Sequence, residues 1–289
     1  MSTEAFLVEG SRKLSGEIQP QGAKNEALQI ISAVLLTDED IIIENIPDIV
    51  DIRLLIQLIE GLGVKAERLS PSSYKFNASD IDLEYFASDK YQNDAKKIRG
   101  SVMLLGPLLA RYKKAFLPKP GGDKIGRRRL DTHFHGFTKL GAIFNYDDHN
   151  GQYYLYSDRL KGAYILMDEI SVTGTANVLM AAVLAEGTTQ IYNAACEPYL
   201  QQLCKMLVRM GAKIDGIGSN LLVINGVDSL KGTTHSVLPD MIEIGSFIGL
   251  AAMTQSAITI KNVSYDNLGI IPATFEKLGI KMDLIGDDL

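Results

Sequence analysis

The sequence has few cysteines, no excess of positive charge and no long apolar segment. Its 289 residues include two cysteines, and 29 Lys and Arg are outnumbered by 35 Asp and Glu, for a formal net charge of −6. This acidic balance argues against a protein that coats nucleic acid or an anionic membrane. The longest wholly apolar run, residues 178–185, is far shorter than the roughly 20 residues of a membrane-spanning helix. We therefore expect a soluble globular protein without a membrane partner.

The cysteines and the first residues bear on the cellular compartment. Cys196 and Cys204 lie in apolar-periodic surroundings, so we expect both thiols to be buried. Two buried thiols fit a reducing cytosol better than a disulfide framework. The chain starts MSTEAFLVEGS, which lacks the basic and apolar segments of a secretory signal. A cytoplasmic location is expected.

A short string containing Leu-Gly or Met-Gly recurs four times and indicates an internal duplication. Its glycines lie 78, 70 and 68 residues apart, at Gly63, Gly141, Gly211 and Gly279. The first and third copies superpose without a gap at an offset of 148 residues, which aligns Asn45 with Asn193. Chance recurrence is the simpler alternative, but four copies at similar spacing argue against it.

Each copy has the pattern of helix, strand, helix and strand. The predicted helices rich in small apolar residues are 27–36 and 176–185, and the strands after them are 41–44 and 189–192. A second helix follows, which the glycine is expected to end because positive φ costs glycine least. Strands at 65–68 and 213–215 complete the two copies. Such repeats predict an α/β fold built by duplication.

Two segments could bind anions. The string Gln21-Gly22-Ala23-Lys24-Asn25 precedes a helix, where free backbone N–H groups and a lysine suit phosphate or carboxylate, although a surface lysine at a helix start is the ordinary alternative. Residues 111–129 contain eight basic residues and one acid, Asp123, with a glycine-rich stretch at 120–126. A glycine-hinged basic loop can close over an anionic substrate, although a solvated loop or a weak nucleic-acid patch is possible.

Weaker candidates follow. Asp123 among cations would be a counter-ion, or a general acid if a closed loop desolvates it. The segment 171–175 offers a second phosphate cradle or, more simply, an ordinary helix cap at Ser171. His133 and His135 have no third ligand nearby, so a metal site is not expected. Asp240 and Glu243 are one helical turn apart and fit paired carboxylates or, more often, caps.

Several short sequence strings, distributed along the whole chain, match a known family in the same order. The most specific are Gly22-Ala23-Lys24-Asn25 and the glycine loop Pro120-Gly121-Gly122 with Ile125-Gly126. Others are Arg99-Gly100-Ser101, Leu105-Gly106-Pro107-Leu108, Arg128 with Asp131 and His133, Leu160-Lys161-Gly162-Ala163, Asn193-Ala194-Ala195, Glu197-Pro198 and Leu238-Pro239-Asp240. With these strings the sequence resembles the UDP-N-acetylglucosamine enolpyruvyl transferases (1-carboxyvinyltransferases). The related shikimate-phosphate branch has serine after its lysine, so Asn25 favours the UDP-sugar branch.

The resemblance implies transfer of the enolpyruvyl group of phosphoenolpyruvate to the 3′-hydroxyl of UDP-N-acetylglucosamine, the first committed step of peptidoglycan synthesis, without metal or organic cofactor. It implies that Lys24 and Arg128 hold phosphoenolpyruvate, that Asn25 and Arg99 contact substrate, and that Asp123 protonates the methylene carbon. The residues implied to line the UDP-sugar site are Arg128, Arg129, Leu130, Asp131, Thr132, Glu169, Ile170, Ser171 and Val172.

The sequence departs from the family pattern at three points. Most members have a cysteine at the position of Asp123, and fosfomycin forms a thioether with that cysteine. Because aspartate cannot form this bond, we expect this chain to be insensitive to fosfomycin. Glu169 replaces a usual lysine near the diphosphate, and Arg129 replaces a proline. The family has two domains of about three repeats each, whereas this chain has four repeats. We therefore expect a C-terminally truncated chain that lacks the family's general base, an aspartate.

Together these observations predict an inverted α/β-barrel-like (enolpyruvyl transferase) fold of repeated β-α-β-α-β-β units, with two domains of which the second is incomplete. Residues 23–238 are predicted to form a complete three-repeat domain with a catalytic loop at about 119–129. Residues 1–22 and 239–289 are predicted to form the partial domain. The rival interpretation is a non-catalytic nucleotide-sugar-binding fragment, and a nucleic-acid-binding repeat protein is more distant. The sequence predicts no oligomeric state.

Overall fold

The computed structural model describes residues 5–10, 12–120, 129–149 and 151–289. The chain divides into two compact units. The larger unit is Ala23–Leu238, and the smaller unit combines Met1–Gly22 with Pro239–Leu289. No helix among the described residues is long and apolar enough to cross a membrane.

Helices and strands alternate along most of the described chain. The strands are β1 (Ser15–Ile18), β2 (Ile41–Glu44), β3 (Lys65–Ser70), β4 (Ser73–Asn77), β5 (Lys114–Pro118), β6 (Ile143–Asp147), β7 (Gln152–Tyr156), β8 (Tyr164–Leu166), β9 (Thr188–Tyr192), β10 (Lys213–Asp215), β11 (Leu221–Asn225), β12 (Thr233–Ser236) and β13 (Ala257–Ile260). The α-helices are α1 (Lys24–Ala33), α2 (Val50–Gly61), α3 (Asp89–Ala95), α4 (Leu105–Tyr112), α5 (Asp131–Lys139), α6 (Val172–Ala182), α7 (Pro198–Arg209), α8 (Met241–Met253) and α9 (Ile271–Lys277). Short 3₁₀ helices cover Val34–Leu36, Glu84–Ala87, Arg99–Leu104 and Tyr265–Asn267.

Among the described residues of the larger unit, one structural module occurs three times. The modules run α1-β2-α2-β3-β4, α4-β5-α5-β6-β7 and α6-β9-α7-β10-β11, with α3 inserted after the first. In each, the last two strands form an antiparallel hairpin that pairs with the first strand, in the orders β2-β4-β3, β5-β7-β6 and β9-β11-β10. Parallel neighbours extend two of these sheets, because β12 pairs with β2 and β8 with β9. The sequence repeat thus corresponds to a repeated supersecondary unit.

The first helix of each module lies inside the larger unit. Helix α6 is apolar around most of its circumference, and Gly174–Ala182 are all buried, as suits a helix enclosed by protein. The second helices α2 and α7 are amphipathic and bury one stripe each, Leu55, Leu58 and Ile59 in α2 and Leu203, Met206 and Leu207 in α7. The inner helices therefore provide a fixed frame for side chains at their N-terminal ends.

Backbone geometry repeats from one module to the next. Gly63, Gly141 and Gly211 follow the second helices with φ of 101°, 93° and 106°, as the C-cap interpretation predicts. Asparagine takes the left-handed conformation after the first strand, with φ of 55° at Asn45 and 60° at Asn193. The Asn45 amide donates to the Val237 carbonyl at 2.8 Å, and the Asn193 amide donates to the Met167 carbonyl at 3.0 Å. Asparagine is suited to both tasks because it tolerates this φ and its side chain can donate.

Replacing Asn193 by alanine is expected to lower the free energy of unfolding by roughly 2–3 kcal/mol, because the left-handed φ is strained and one hydrogen bond is lost. Asn193→Gly relieves the strain and is expected to cost about half as much. Urea denaturation of both variants measures the difference. Equal losses in the two would show that the backbone conformation is not what selects asparagine.

The predicted helix boundaries need correction. Helix α1 covers Lys24–Ala33 rather than 27–36, and α6 covers Val172–Ala182 rather than 176–185. The predictions followed the apolar residues, whereas α1 begins with the accessible residues Lys24 and Asn25 and α6 with Val172 and Thr173, ahead of the buried part of each helix. At the other end, Val34–Leu36 form a 3₁₀ turn that continues the apolar pattern without continuing the α-helix. Strands β3 and β9 are longer than predicted by two residues and one residue, respectively.

The expectation of two buried thiols is wrong for one of them. Cys204, on α7, is buried, and burial raises the pKa of its thiol to about 12. Cys196 is exposed, because it lies in the connection between β9 and α7 rather than on the buried stripe of the helix. The argument for a reducing cytosol rested on two buried cysteines, and Cys196 is not buried.

The described part of the smaller unit includes a parallel strand pair and the helices α8 and α9. Strand β1 pairs with β13 from Ser15 opposite Ala257 to Ile18 opposite Ile260. Helix α8 begins at the cap Asp240, whose carboxylate accepts from the backbone N–H of Ile242 at 2.9 Å and of Glu243 at 3.3 Å. Glu243 accepts from the Gln21 backbone N–H at 2.7 Å. Asp240 is thus a helix cap, as the sequence favoured, whereas Glu243 is not a cap of this helix and bonds to a backbone N–H far away in the sequence.

Candidate active site

A cavity of about 770 Å³ opens in the larger unit where three segments meet. These are the first turns of α1, the 3₁₀ helix at Arg99–Leu104 with the residues before it, and the start of α6. Asp51 of α2, Tyr199 of α7 and Arg129 complete much of the wall. The lining brings four cationic side chains together, Lys24, Lys97, Arg99 and Arg129, with two anionic ones, Asp51 and Glu169. This excess of cations suits an anionic ligand.

Helix α1 presents Lys24 and Asn25 at its first turn. The N-cap is Ala23, whose methyl side chain cannot accept a hydrogen bond from the first backbone N–H groups of the helix. The Lys24 ammonium forms an ion pair with the Asp51 carboxylate, and the two side chains are 43% and 41% exposed. A pair this exposed adds little to stability. Because the Lys24 side chain is partly exposed and lines the cavity, a ligand there can reach its ammonium group.

The wall at Arg99–Leu104 is anchored by a buried serine and a glycine. The Ser101 hydroxyl is 2.8 Å from the carbonyls of both Ala95 and Ile98. A Cβ at Gly100 would lie 2.8 Å from the Leu28 side chain of α1, so glycine allows the two segments to pack closely. These contacts fix the backbone from which Arg99 reaches the cavity.

The third wall is the start of α6. Ser171 is its N-cap, and the hydroxyl accepts from the Gly174 backbone N–H at 3.2 Å. The residue before this cap region, Glu169, accepts a hydrogen bond from the Thr132 hydroxyl at 3.3 Å. The cap interpretation of Ser171 is confirmed, and the same turn also lines the cavity through Val172 and Thr173.

A buried asparagine ties these walls together. The Asn177 carbonyl accepts from the Gly106 backbone N–H at 2.9 Å, and its amide donates to the Val102 carbonyl at 2.9 Å. The same amide lies 3.0 Å from Nδ1 of His133, which therefore acts as the acceptor. The Nε2–H of His133 faces the Thr173 hydroxyl at 3.3 Å. The position of the α6 start is thus coupled to the 3₁₀ wall and to α5.

His133 is held neutral in this network. Burial, and after it the charge of Arg99, lowers the pKa of His133 to about 3. A histidine whose pKa falls below its unfolded value of about 6.5 stabilises the fold above that pH, and the stabilisation is lost as pH falls toward the folded value. His133 thus contributes a loss of up to about 1.4 kcal/mol per pH unit between these two values.

We expect the His133 imidazole to show no protonation between pH 8 and about pH 5 in the folded chain. The measurement is a nitrogen-15 NMR titration, with the urea-unfolded chain as the reference. A folded-state titration midpoint above pH 6 would contradict the buried, neutral assignment.

The structure brings together seven of the residues singled out from the sequence. The cavity lining contains Lys24, Asn25, Arg99, Arg129, Glu169, Ser171 and Val172. Thr132 is buried beneath it and contacts Glu169. Asp123 and Arg128 lie outside the described residues.

The remaining predicted residues have other positions. Leu130 is buried at the N-cap of α5, and Asp131 begins that helix and pairs with Arg129 at 2.5 Å. Ile170 is 64% exposed and is not part of the described lining. Sequence reasoning missed Asp51, Lys97 and Tyr199. The sequence shows that Asp51 is an acidic residue shortly after the strand predicted at 41–44. No pattern in the sequence indicates that its carboxylate lies beside Lys24.

The basic run at 111–129 is not uniform. Arg111 lies in the last turn of α4, and its guanidinium donates to the carbonyls of Thr37 and Ala78, each at 2.8 Å. Lys113 adopts a left-handed C-cap, and Lys114 begins β5. The start of the run therefore serves the fold rather than a substrate loop, and residues 121–128 lie outside the described ranges.

Comparison with known proteins decides the family. The family model described as EPSP synthase (3-phosphoshikimate 1-carboxyvinyltransferase) matches residues 8–286. The chain belongs to this family. Among curated members, the UDP-N-acetylglucosamine 1-carboxyvinyltransferase of Bacteroides thetaiotaomicron is 64% identical over 285 residues, which are 99% of this chain and 66% of that protein. The enzyme of the same name from Porphyromonas gingivalis is 58% identical, with the same coverage of each chain.

Solved structures agree on the fold of this family member. The enolpyruvyl transferase NikO from Streptomyces tendae has a TM-score of 0.83 at 21% identity, covering 96% of this chain and 66% of that one. EPSP synthase from Acinetobacter baumannii has a TM-score of 0.70 at 18% identity, covering 96% and 64%. The predicted α/β enolpyruvyl transferase fold is confirmed. The chain spans about two thirds of the length of the curated relatives.

Proposed function

We propose that the chain binds phosphoenolpyruvate and UDP-N-acetylglucosamine in the cavity of the larger unit and transfers the enolpyruvyl group between them. The observation that carries the proposal is the convergence of Lys24, Asn25, Arg99 and Arg129 on one cavity, at the N-terminal turn of α1. Both substrates are anions, and charge-assisted hydrogen bonds from lysine, arginine and helix N–H groups are the contacts that phosphates and carboxylates need.

The names of the relatives support UDP-N-acetylglucosamine as the acceptor. Proteins 58–64% identical to this chain are named UDP-N-acetylglucosamine 1-carboxyvinyltransferase. Asn25, next to Lys24, argues against the shikimate-phosphate acceptor. The proposal includes the cellular setting of that reaction, the first committed step of peptidoglycan synthesis in the cytoplasm.

The proposed reaction is an addition followed by an elimination. The 3′-hydroxyl of the sugar gives up its proton to a base as its oxygen bonds to C2 of phosphoenolpyruvate, and a proton is added to C3, which gives a tetrahedral ketal. Loss of a proton from C3 then restores the double bond as phosphate leaves, so the sum is enolpyruvyl sugar nucleotide plus inorganic phosphate. Cations aimed at the phosphate and carboxylate stabilise the charge of the ketal and of the leaving group.

We assign roles within this scheme to individual residues. Lys24 and Arg128 bind phosphoenolpyruvate, Asn25 and Arg99 contact substrate, and Asp123 supplies the C3 proton. Arg129, Leu130, Asp131 and Thr132 together with Glu169, Ile170, Ser171 and Val172 form the UDP-sugar side. Thr132 takes part through Glu169, whose carboxylate it orients by its hydrogen bond. The roles assigned here do not require a metal. Among the described residues, no cluster of three or more His, Cys, Asp or Glu side chains could hold one.

The rival function is nucleotide-sugar binding without turnover. This function needs only the contacts to UDP-N-acetylglucosamine, and it involves no proton transfer. Phosphate release by the 289-residue chain separates the two functions when both substrates are present together. Release that requires both substrates supports transfer, whereas calorimetric binding of UDP-N-acetylglucosamine without release identifies the binding function. Absence of binding to either substrate by folded protein contradicts both.

A further inference from the structure

A glutamate is fully buried in the first turn of α1. Glu26 is the third residue of the helix, and its side chain has no exposed area. A glutamate at this position usually faces solvent or reaches back to its own cap. Here it points inward, where an ionised carboxylate is costly unless it is paired and hydrogen-bonded. Its location, two residues after Lys24, places this buried charge beside the residues that line the cavity.

The partners of Glu26 form a chain that reaches the surface. His235 of β12 is 3% exposed, and its Nε2 lies 2.8 Å from Oε1 of Glu26. On the other side of the imidazole, Nη2 of Arg209, in the last turn of α7, lies 2.5 Å from Nδ1. Helix α1 contacts α7, and α7 contacts β12, so three elements distant in sequence meet at this point.

The chemistry of arginine fixes the direction of each hydrogen bond. A guanidinium has only N–H donors, so Nδ1 of His235 accepts and carries no proton. Nε2 therefore bears the hydrogen and donates to Glu26. The imidazole is neutral, and it links an exposed cation to a buried anion. Burial raises the pKa of Glu26, while its hydrogen bond to His235 acts in the opposite direction.

The second carboxylate oxygen joins the start of the helix to the end of the unit. Oε2 of Glu26 accepts from the backbone N–H of Leu238 at 3.3 Å. The carbonyl of Leu238 accepts from the backbone N–H of Ala23, the N-cap of α1, at 2.7 Å. Leu238 thus contacts the first turn twice, once through Glu26 and once through the cap. A shift or rotation of this turn would break several buried contacts at once.

We propose that Arg209, His235 and Glu26 form a positioning relay that fixes the first turn of α1 and thereby holds Lys24 and Asn25 at the cavity. The statement that Lys24 and Asn25 bind a substrate rests on the proposed function. The statement that the relay holds the first turn of α1 in place does not depend on it. None of the three relay residues is among the described lining of the cavity, so their effect on a ligand is exerted through the helix.

The first test compares His235→Leu with His235→Gln in the full chain. Leucine removes both hydrogen bonds, whereas the glutamine amide can donate to Glu26 and accept from Arg209. The reporter is hydrogen exchange at the Ala27 backbone N–H, which bonds to the Ala23 carbonyl at 2.9 Å in the first turn. We expect about a tenfold or greater loss of protection in His235→Leu and less than about a threefold change in His235→Gln. Equal protection in wild type and His235→Leu overturns the proposal.

The second test separates positioning from general destabilisation by a double-mutant cycle with Lys24. The probe is phosphoenolpyruvate, and the readout is its dissociation constant. His235→Leu is expected to weaken binding about tenfold with Lys24 present and less than about twofold in a Lys24→Met background. The same loss in both backgrounds overturns the proposal. If His235→Leu does not fold, Arg209→Leu removes the outer donor at an exposed position and is subjected to the same two measurements.

The two proposals can fail separately. A wild-type chain that is folded but does not bind phosphoenolpyruvate contradicts the proposed function. In that case, the exchange measurement at Ala27 still decides whether the relay fixes the first turn.

Discussion

Replacing Lys24 by methionine is expected to weaken the binding of phosphoenolpyruvate about 10- to 100-fold, because a hydrogen bond to a charged group contributes roughly 1.5–3 kcal/mol. The substitution keeps the aliphatic stem of the side chain and removes only the ammonium. Its ion pair with Asp51 is about two-fifths exposed, so the free energy of unfolding is expected to change by less than about 1 kcal/mol. Titration calorimetry of the 289-residue chain measures the affinity.

Two further substitutions sharpen this prediction. Lys65→Met removes an exposed lysine from β3, outside the described lining, and is the matched control with unchanged affinity expected. Asp51→Asn removes the anion paired with Lys24 and is expected to strengthen phosphoenolpyruvate binding slightly, because the ligand no longer competes with a carboxylate. If Lys24→Met binds as tightly as wild type, the cavity is not the phosphoenolpyruvate site.

Replacing Asn177 by alanine is expected to lower the free energy of unfolding by about 3–5 kcal/mol, among the largest effects of a single substitution. The side chain is fully buried and serves Gly106, Val102 and His133 at once. Alanine leaves a buried N–H, a buried carbonyl and an imidazole nitrogen without their partner, each at a cost of roughly 1–3 kcal/mol. Urea-induced unfolding measures the change.

The control for Asn177 is an exposed asparagine whose backbone carbonyl accepts from the Ala194 backbone N–H, a contact that alanine keeps. Asn220 is exposed before β11, and its alanine variant is expected to remain within about 0.5 kcal/mol of wild type. A loss below 1 kcal/mol for Asn177→Ala would show that the walls of the cavity do not depend on this residue. Weaker binding of UDP-N-acetylglucosamine by a folded Asn177→Ala variant is expected as well, because the start of α6 loses its link to the wall at Arg99–Leu104.

The sequence predicts the fold well because duplication repeats the same physical constraints. Gly63 and Gly211 have positive φ after equivalent helices, and Asn45 and Asn193 have positive φ after equivalent strands. Each repeated residue type marks a backbone conformation that few residues tolerate. The helix starts were predicted less well, since apolar periodicity reports the buried face of a helix and not the polar first turn of α1.

The candidate site was predictable only in part. Lys24 and Asn25 stood out because they follow a glycine at a predicted helix start, whereas Arg99 was singled out only through the resemblance to the family. Asp51 did not, because its pairing with Lys24 arises from the packing of α1 against α2. The relay was equally hidden, since Glu26 and His235 are 209 positions apart and meet only when the last strand of the larger unit joins the first module. Contacts between distant segments leave no local pattern in a single sequence.

The most direct test of the account is a hydrogen-exchange footprint of the 289-residue chain with UDP-N-acetylglucosamine, and then with phosphoenolpyruvate added. The account predicts slower exchange in three separate segments, 24–28, 99–103 and 171–173, which are the walls of the cavity. Unchanged exchange in all three segments, or protection confined to the smaller unit, would contradict it.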